Sequence, residues 1–167
     1  PSSGASDVYK RQFYMSESYQ VLVVGGGAAG LATAASLKKR DRSLEVAVVE
    51  PSDKHYYQPG WTMVGAGVFT KEDTIKDTDS IWPSDVIRIK DEVIKFDPKN
   101  NKVTLGNKTE VVYEMLVVAS GLKLDWEAIE GLSESLGENG VTSNYRYDLA
   151  PYTWELVQEM NGKNAIF

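Results

Sequence analysis

The spacing of apolar residues changes several times along the chain, and each change marks an element. Tyr19-Gln20-Val21-Leu22-Val23-Val24 is a compact apolar run of strand length. It runs into Gly25-Gly26-Gly27-Ala28-Ala29-Gly30, after which Leu31, Ala34, Ala35 and Leu37 recur on one side of a helix that closes with Lys38-Lys39-Arg40. Val46 to Val49 form a second apolar run, ended by Glu50. Short strand-like runs follow at Val86 to Ile89, Val93 to Phe96, Lys102 to Leu105 and Val111 to Tyr113. Asn100-Asn101 and Gly106-Asn107 supply tight turns between them. Met115 to Ala119 then reads as a buried strand whose tip is Ala119-Ser120-Gly121. The resulting order is a βαβ unit, a three-stranded β-meander and a return strand.

The two flanks are less regular. Pro1 to Gln12 lack periodicity, and residues 1–14 read as a non-native or disordered leader, with Met15 the natural start. Near the other end, Asp148 is the expected N-cap of a helix carrying Pro151 in its first turn and Trp154, Leu156, Val157 and Met160 on its apolar face. Asn161-Gly162 stops that helix, and Ala165-Ile166-Phe167 reads as the opening of a further buried strand. A chain stopping inside a strand is expected to be part of a longer protein, because strand backbone groups need partners.

Composition narrows the chemistry. The 167 residues carry 18 Lys+Arg against 24 Asp+Glu, a net charge of −6, with no basic block to suit nucleic acid. No apolar run is long enough to cross a membrane as a helix. There is a single histidine, His55, and no cysteine, so a thiolate metal site, a disulfide framework and a His-rich metal cluster are excluded from these residues. No metal is expected, and His55 is given no catalytic role.

The first block has the spacing needed for a dinucleotide: strand, G-x-G-x-x-G, helix, strand, acid. Gly25 allows the tight turn, Gly27 lets the backbone approach a pyrophosphate, and Gly30 lets helix and strand pack closely. The N–H groups around Ala28 and Ala29 point at the phosphates with the helix dipole behind them. Glu50, twenty residues beyond Gly30, can accept from a ribose diol, and its charge disfavours the 2′-phosphate of NADP. The motif alone does not separate FAD from NAD. A meander followed by the Ala119-Ser120-Gly121 tip, in place of a second βαβαβ half, resembles the FAD domain of the two-dinucleotide-binding flavoprotein reductases. The fold class expected is α/β: an incomplete Rossmann-like FAD-binding domain with a parallel sheet and a three-stranded meander.

Between the blocks, Glu50-Pro51-Ser52-Asp53-Lys54-His55-Tyr56-Tyr57-Gln58-Pro59-Gly60-Trp61-Thr62 leads into Val64-Gly65-Ala66-Gly67. This run resembles sulfide:quinone oxidoreductase, in the branch that includes the mitochondrial enzymes. The resemblance continues through Tyr113-Glu114-Met115-Leu116, Ser143-Asn144-Tyr145 and Asn164-Ala165-Ile166-Phe167. It implies that Ala28 and Ala29 contact the FAD pyrophosphate, Glu50 holds the adenosine ribose and Gln58 lies against the cofactor. It also implies that Val93 bonds the adenine through its backbone. Gly25, Gly27, Gly30, Pro51, Ala119, Ser120 and Gly121 complete the implied cofactor site. Trp61 and Thr62 belong to a short helix after Pro59, and the small run at 64–67 would allow close approach to the cofactor.

In that family sulfide attacks a cysteine disulfide near the flavin, and two electrons pass through FAD to a membrane quinone. The thiols this requires are absent here, so the resemblance implies a cysteine-free N-terminal part, inactive alone and weak in holding FAD. Its parent would take sulfide and quinone and attach peripherally to a bacterial cytoplasmic or mitochondrial inner membrane through later residues. The domain reading is an N-terminal FAD-binding part over 15–123, then a linker, helix and first strand of a second dinucleotide-binding-like domain over 124–167. Two other readings stand beside it: a type II NADH:quinone dehydrogenase-like or other FAD/NAD-linked reductase, and a non-catalytic nucleotide-binding module.

Overall fold

The computed structural model describes residues 17–162 and 164–166, so the expected leader at 1–14 and Phe167 lie outside the described residues. In chain order the regular elements begin with β1 (Glu17–Val24), α1 (Ala28–Arg40), β2 (Val46–Val49), β3 (Lys54–Tyr56) and α2 (Pro59–Gly65). Next come β4 (Ile75–Asp77), α3 (Thr78–Ile81), β5 (Ile87–Ile89), β6 (Val93–Asp97) and β7 (Lys102–Leu105). The series closes with β8 (Glu110–Val118), α4 (Leu132–Ser135) and α5 (Ala150–Gln158). These elements form two compact units. One takes the chain up to Pro51 together with Pro83–Ser120; the other takes Ser52–Trp82 together with the chain from Gly121.

The first unit is built on a six-stranded sheet in the order β5-β2-β1-β8-β7-β6. β5, β2, β1 and β8 run parallel, while β7 is antiparallel to both β8 and β6. Every residue of Val21–Val24 and Val46–Val49 is buried. Strand alternation places Val21, Val23, Val46 and Val48 on one face and Leu22, Ala47 and Val49 on the other. Helix α1 covers the first face, where the position a Cβ would take on Gly30 is 3.3 Å from the Val23 side chain. The second face is covered by the meander, because Val103, Leu105, Val111 and Tyr113 join Leu22, Ala47 and Val49 in one apolar cluster. Burial on both faces is why β1 and β2 read as continuous apolar runs instead of alternating ones. Each such Val or Leu contributes roughly 1.5–3 kcal/mol of burial.

This is the expected α/β fold, with three differences in detail. Val86 to Ile89 does not join the meander; its strand, β5, pairs in parallel with β2 through Ala47↔Ile87 and Val49↔Ile89. Val111–Tyr113 and the run from Met115 are one continuous strand, so the third meander strand is itself the return strand. Glu114 does not interrupt it because its side chain is exposed while the backbone stays in register with β1 from Glu17↔Val111 to Val24↔Val118. The far half of β8 is also less buried than its composition implies, with Met115 53% and Val118 58% exposed. β7 pairs only with its first residues, through Lys102↔Val112, Val103↔Val111 and Thr104↔Glu110.

In the second unit β3 and β4 form an antiparallel pair, and α2 begins at Pro59 and packs against α5. Pro151 sits in the first turn of α5 as expected. Asp148, however, caps nothing. The Arg146 guanidinium donates to its carboxylate, Nε to Oδ1 at 3.1 Å, and holds the Asp148 carboxyl below the usual carboxylate range. An ion pair two residues away therefore outcompetes the cap. The helix ends at Gln158, before Asn161-Gly162. Asn164 to Ile166 form no strand, and Ile166 is 98% exposed: the expected strand has no partner among the described residues.

Candidate dinucleotide site

The strand order locates the site before any side chain is considered. β1 lies between β2, which follows it in the chain, and β8, which comes much later. Chain order therefore reverses between β1 and β8, and in open parallel sheets ligands bind at the carboxyl ends of strands at such a reversal. Val24 ends β1 and Val118 ends β8 in register, and the Ala119 N–H donates to the Val24 carbonyl at 2.8 Å. The glycine turn and the Ala119-Ser120 tip, about ninety residues apart in sequence, are thus brought together.

Each glycine of the turn answers to a different neighbour. Gly25 has φ +100, donates its N–H to the Val49 carbonyl at 2.9 Å, and would put a Cβ 2.5 Å from the Ala119 oxygen. It needs both the left-handed backbone and the missing side chain. Gly30 would place a Cβ 1.8 Å from the Gly25 oxygen, so close helix–strand packing demands glycine there. Gly27, the N-cap of α1, has φ −68 and ψ −172, which any residue adopts, and a Cβ there would meet nothing within 4 Å.

Gly27 is therefore the informative one. Among the described residues, Gly121, Gly131, Gly140 and Gly162 also face open space, but positive φ angles of +69 to +85 account for each of them. Gly27 has neither a steric nor a conformational reason within the protein. No side chain caps α1, although Ser, Asn or Asp would cap it better. Gly27, Ala28 and Ala29 are exposed, and the first intrahelical bond runs from the Leu31 N–H to the Gly27 carbonyl at 3.0 Å. The preceding first-turn N–H groups have no intrahelical acceptor and carry the positive end of the helix dipole. An open cradle lined by amide donors at the reversal point suits the pyrophosphate of a dinucleotide.

Glu50 follows β2 at the same end of the sheet. Its Oε2 accepts the Gly26 N–H at 2.7 Å, an arrangement the sequence did not show. Gly26 is the unassigned middle residue of the triplet; its only sequence signal is being glycine where the motif asks for none. Pro51 is exposed at the end of this unit. Val93 starts β6 opposite Leu105, and the ladder shifts register between Val93 and Lys95, a bulge that alters backbone pairing where an adenine edge was expected to bind.

The remaining candidates lie in the second unit. Gln58 is the N-cap residue of α2, its carbonyl accepting from the Trp61 N–H at 3.0 Å, and Gly121 opens the segment after β8. The small run at 64–67 is used by the unit's own packing. A Cβ on Gly65 would lie 2.5 Å from Asn144 Oδ1, and one on Gly67 would lie 2.3 Å from the Trp154 indole. Trp61 makes an edge contact with Tyr56 and a tilted one with Tyr147, with ring centroids 6.2 Å apart in both cases. Among the described residues no group of three His, Cys, Asp or Glu could hold a metal ion.

Sheet order, glycine turn and closing acid together define a Rossmann-like dinucleotide-binding domain of the oxidoreductase kind. Residues 19–152 match the pyridine nucleotide-disulphide oxidoreductase family, and the chain belongs to it. It is 43% identical over 150 residues to the mitochondrial sulfide:quinone oxidoreductase of Dictyostelium discoideum, covering 89% of this chain and 33% of that protein. It is 40% identical over 149 residues to the mitochondrial sulfide:quinone oxidoreductase of Mus musculus, again covering 89% and 33%. The chain thus spans about a third of the length of these relatives. Its fold is similar to the crystal structure of the sulfide:quinone oxidoreductase of Aquifex aeolicus, with a TM-score of 0.66 and 24% identity over 88% of this chain and 33% of that one. The resemblance read from residues 50–67 and the fold class agree with these likenesses.

Proposed function

We propose that this chain forms the FAD-holding part of a sulfide:quinone oxidoreductase, an enzyme that oxidises sulfide and delivers two electrons to a membrane quinone. The observation that carries the proposal is the 43% identity to a sulfide:quinone oxidoreductase across 89% of the chain, in a fold that leaves Gly27 open at the strand reversal. Gly27 and the amides of Ala28 and Ala29 would hold the pyrophosphate, Glu50 the adenosine ribose, and the Val93 backbone the adenine. Gly25 brings Ala119 and Ser120 against the turn and so shapes the crevice from the β8 side. The flavin, when bound, supplies the two-electron redox chemistry.

What these residues do is bind and orient. Thiolate chemistry has no group to run on, because the sequence contains no cysteine. Any persulfide-forming step therefore uses thiols from outside these 167 residues. Among the described residues no helix is long and apolar enough to cross a membrane.

The test is sulfide-dependent reduction of a short-chain quinone by the natural protein, followed at the quinone absorbance with and without NADH. The expected result is turnover with sulfide alone and none by the 167 residues expressed separately. Turnover that requires NADH and ignores sulfide would assign the protein to NADH-linked reduction instead. Sulfide oxidation by the isolated 167 residues would contradict the division of labour proposed here.

A further inference from the structure

Gly26 is buried and its backbone requires no positive φ, yet a Cβ there would lie 2.7 Å from Glu50 Cβ and 2.8 Å from Glu50 Cγ. Both atoms belong to the stem of the side chain, close to the backbone of a residue whose own N–H is tied to the Ile89 carbonyl at 3.0 Å. The Glu50 stem therefore cannot swing aside without disturbing the end of β2. On the same side, the Gly26 N–H donates to Glu50 Oε2 at 2.7 Å, the short length of a charge-assisted bond. The turn thus leaves room for the acid's stem only because residue 26 has no Cβ, and its N–H holds one carboxylate oxygen.

We infer that Gly26 is a positioning residue: it sets the rotamer of Glu50 and thereby governs how strongly the site selects a ribose carrying a free 2′-hydroxyl. The inference rests on the reading of Glu50 as the ribose acceptor given above. A freely rotating glutamate would give up rotamer entropy to meet a diol. One bond to a buried amide removes that cost beforehand. A carboxylate accepts about four hydrogen bonds, so the bond to Gly26 does not exhaust it. Adding a methyl at Gly26 would push the stem away and break the amide bond together. Both effects act on Glu50.

The test compares binding of FAD with that of its 2′-deoxyadenosine analogue to the natural protein stripped of flavin, read by quenching of flavin fluorescence. The parent protein should prefer FAD by about tenfold, the discrimination typical of a hydrogen bond to a charged group. Glu50→Ala should abolish the preference. Gly26→Ala should abolish it too, and the double variant should lose nothing more. If Glu50→Ala keeps the tenfold preference, the ribose reading of Glu50 is wrong. If Glu50→Ala loses it while Gly26→Ala keeps it, the positioning role of Gly26 is wrong and the ribose reading stands.

Should Gly26→Ala not fold, hydrogen exchange at the Gly26 amide decides the matter without it. In the FAD-loaded parent this amide should exchange at least tenfold more slowly than in Glu50→Ala saturated with FAD, which has no side-chain acceptor for it. Equal rates would show that no bond to Glu50 survives in the loaded site, and would overturn the inference.

Discussion

Two glycine-rich segments, residues 25–30 and 60–67, look alike in sequence and differ in what surrounds them. In the second, protein fills every position a side chain would take: Thr74 at 2.8 Å from Gly60, Asn144 at 2.5 Å from Gly65 and Trp154 at 2.3 Å from Gly67. Those glycines serve the packing of helices α2 and α5 and of the turn beside them. In the first segment Gly25 and Gly30 meet backbone, Gly26 meets the Glu50 stem, and Gly27 meets nothing. A glycine with ordinary φ and empty space before it is required neither by packing nor by backbone conformation. On the proposed reading, the difference separates a glycine kept for packing from one kept for a ligand, which composition alone cannot do.

The comparison can be broken by adding one methyl at a time, and the effects should fall in a definite order. Gly30→Ala should be the most severe. Its Cβ would overlap the Gly25 oxygen, and neither the turn nor α1 can retreat without unpacking Val23 and Ala34. A loss of about 3 kcal/mol is expected in urea or guanidinium unfolding, with dinucleotide binding lost as well. Gly67→Ala comes next, at about 2 kcal/mol, since φ +72 adds backbone strain to the clash with the Trp154 indole. Hydrogen exchange should show that loss in α2 and α5 while the amides of residues 21–24 and 46–49 keep their protection. Equal loss in both places would erase the distinction between the segments.

A smaller effect is confined to the entry of β1. The Tyr19 hydroxyl is pushed up to about 12, first by burial and then by its hydrogen bond to Glu17 Oε2 at 2.9 Å, with the charges of Glu17 and Glu45 adding to it. The folded chain therefore keeps this proton where the unfolded chain, near the ordinary value of 10.0, gives it up. Its contribution is complete below about pH 10 and is lost as the pH rises toward 12. Tyr19→Phe should remove that part of the alkaline decline in melting temperature. An unchanged profile in the variant would show that Tyr19 does not contribute to it.

Local features were legible in the sequence, and pairings across distance were not. β1, the glycine turn, α1, β2 and Glu50 follow from apolar period and spacing within about thirty residues, where the chain's own geometry decides. The partnership of β5 with β2 was not visible, because Ile87-Arg88-Ile89 satisfies a meander strand and a parallel strand equally well. The runs on either side of Glu114 read as two strands, yet an exposed acid is tolerated in β8, which keeps the same register with β1 before and after it. Asp148 had the right chemistry for a cap, and Arg146 took its carboxylate first. In the site, the motif pointed to Gly25, Gly27, Gly30 and Glu50. The bond from Gly26 to Glu50 spans 24 positions and leaves no local trace.

The central claim is that the space in front of Gly27 belongs to a dinucleotide pyrophosphate. Gly27→Ala tests it most directly, because φ −68 and ψ −172 accept alanine and nothing in the protein opposes the methyl. Unfolding of the flavin-free protein should change by no more than about 1 kcal/mol, the scale of an N-cap substitution. FAD affinity, titrated on the same sample, should fall by about tenfold or more as the methyl displaces a phosphate from its amide donors. Unchanged stability with unchanged FAD affinity would contradict the claim.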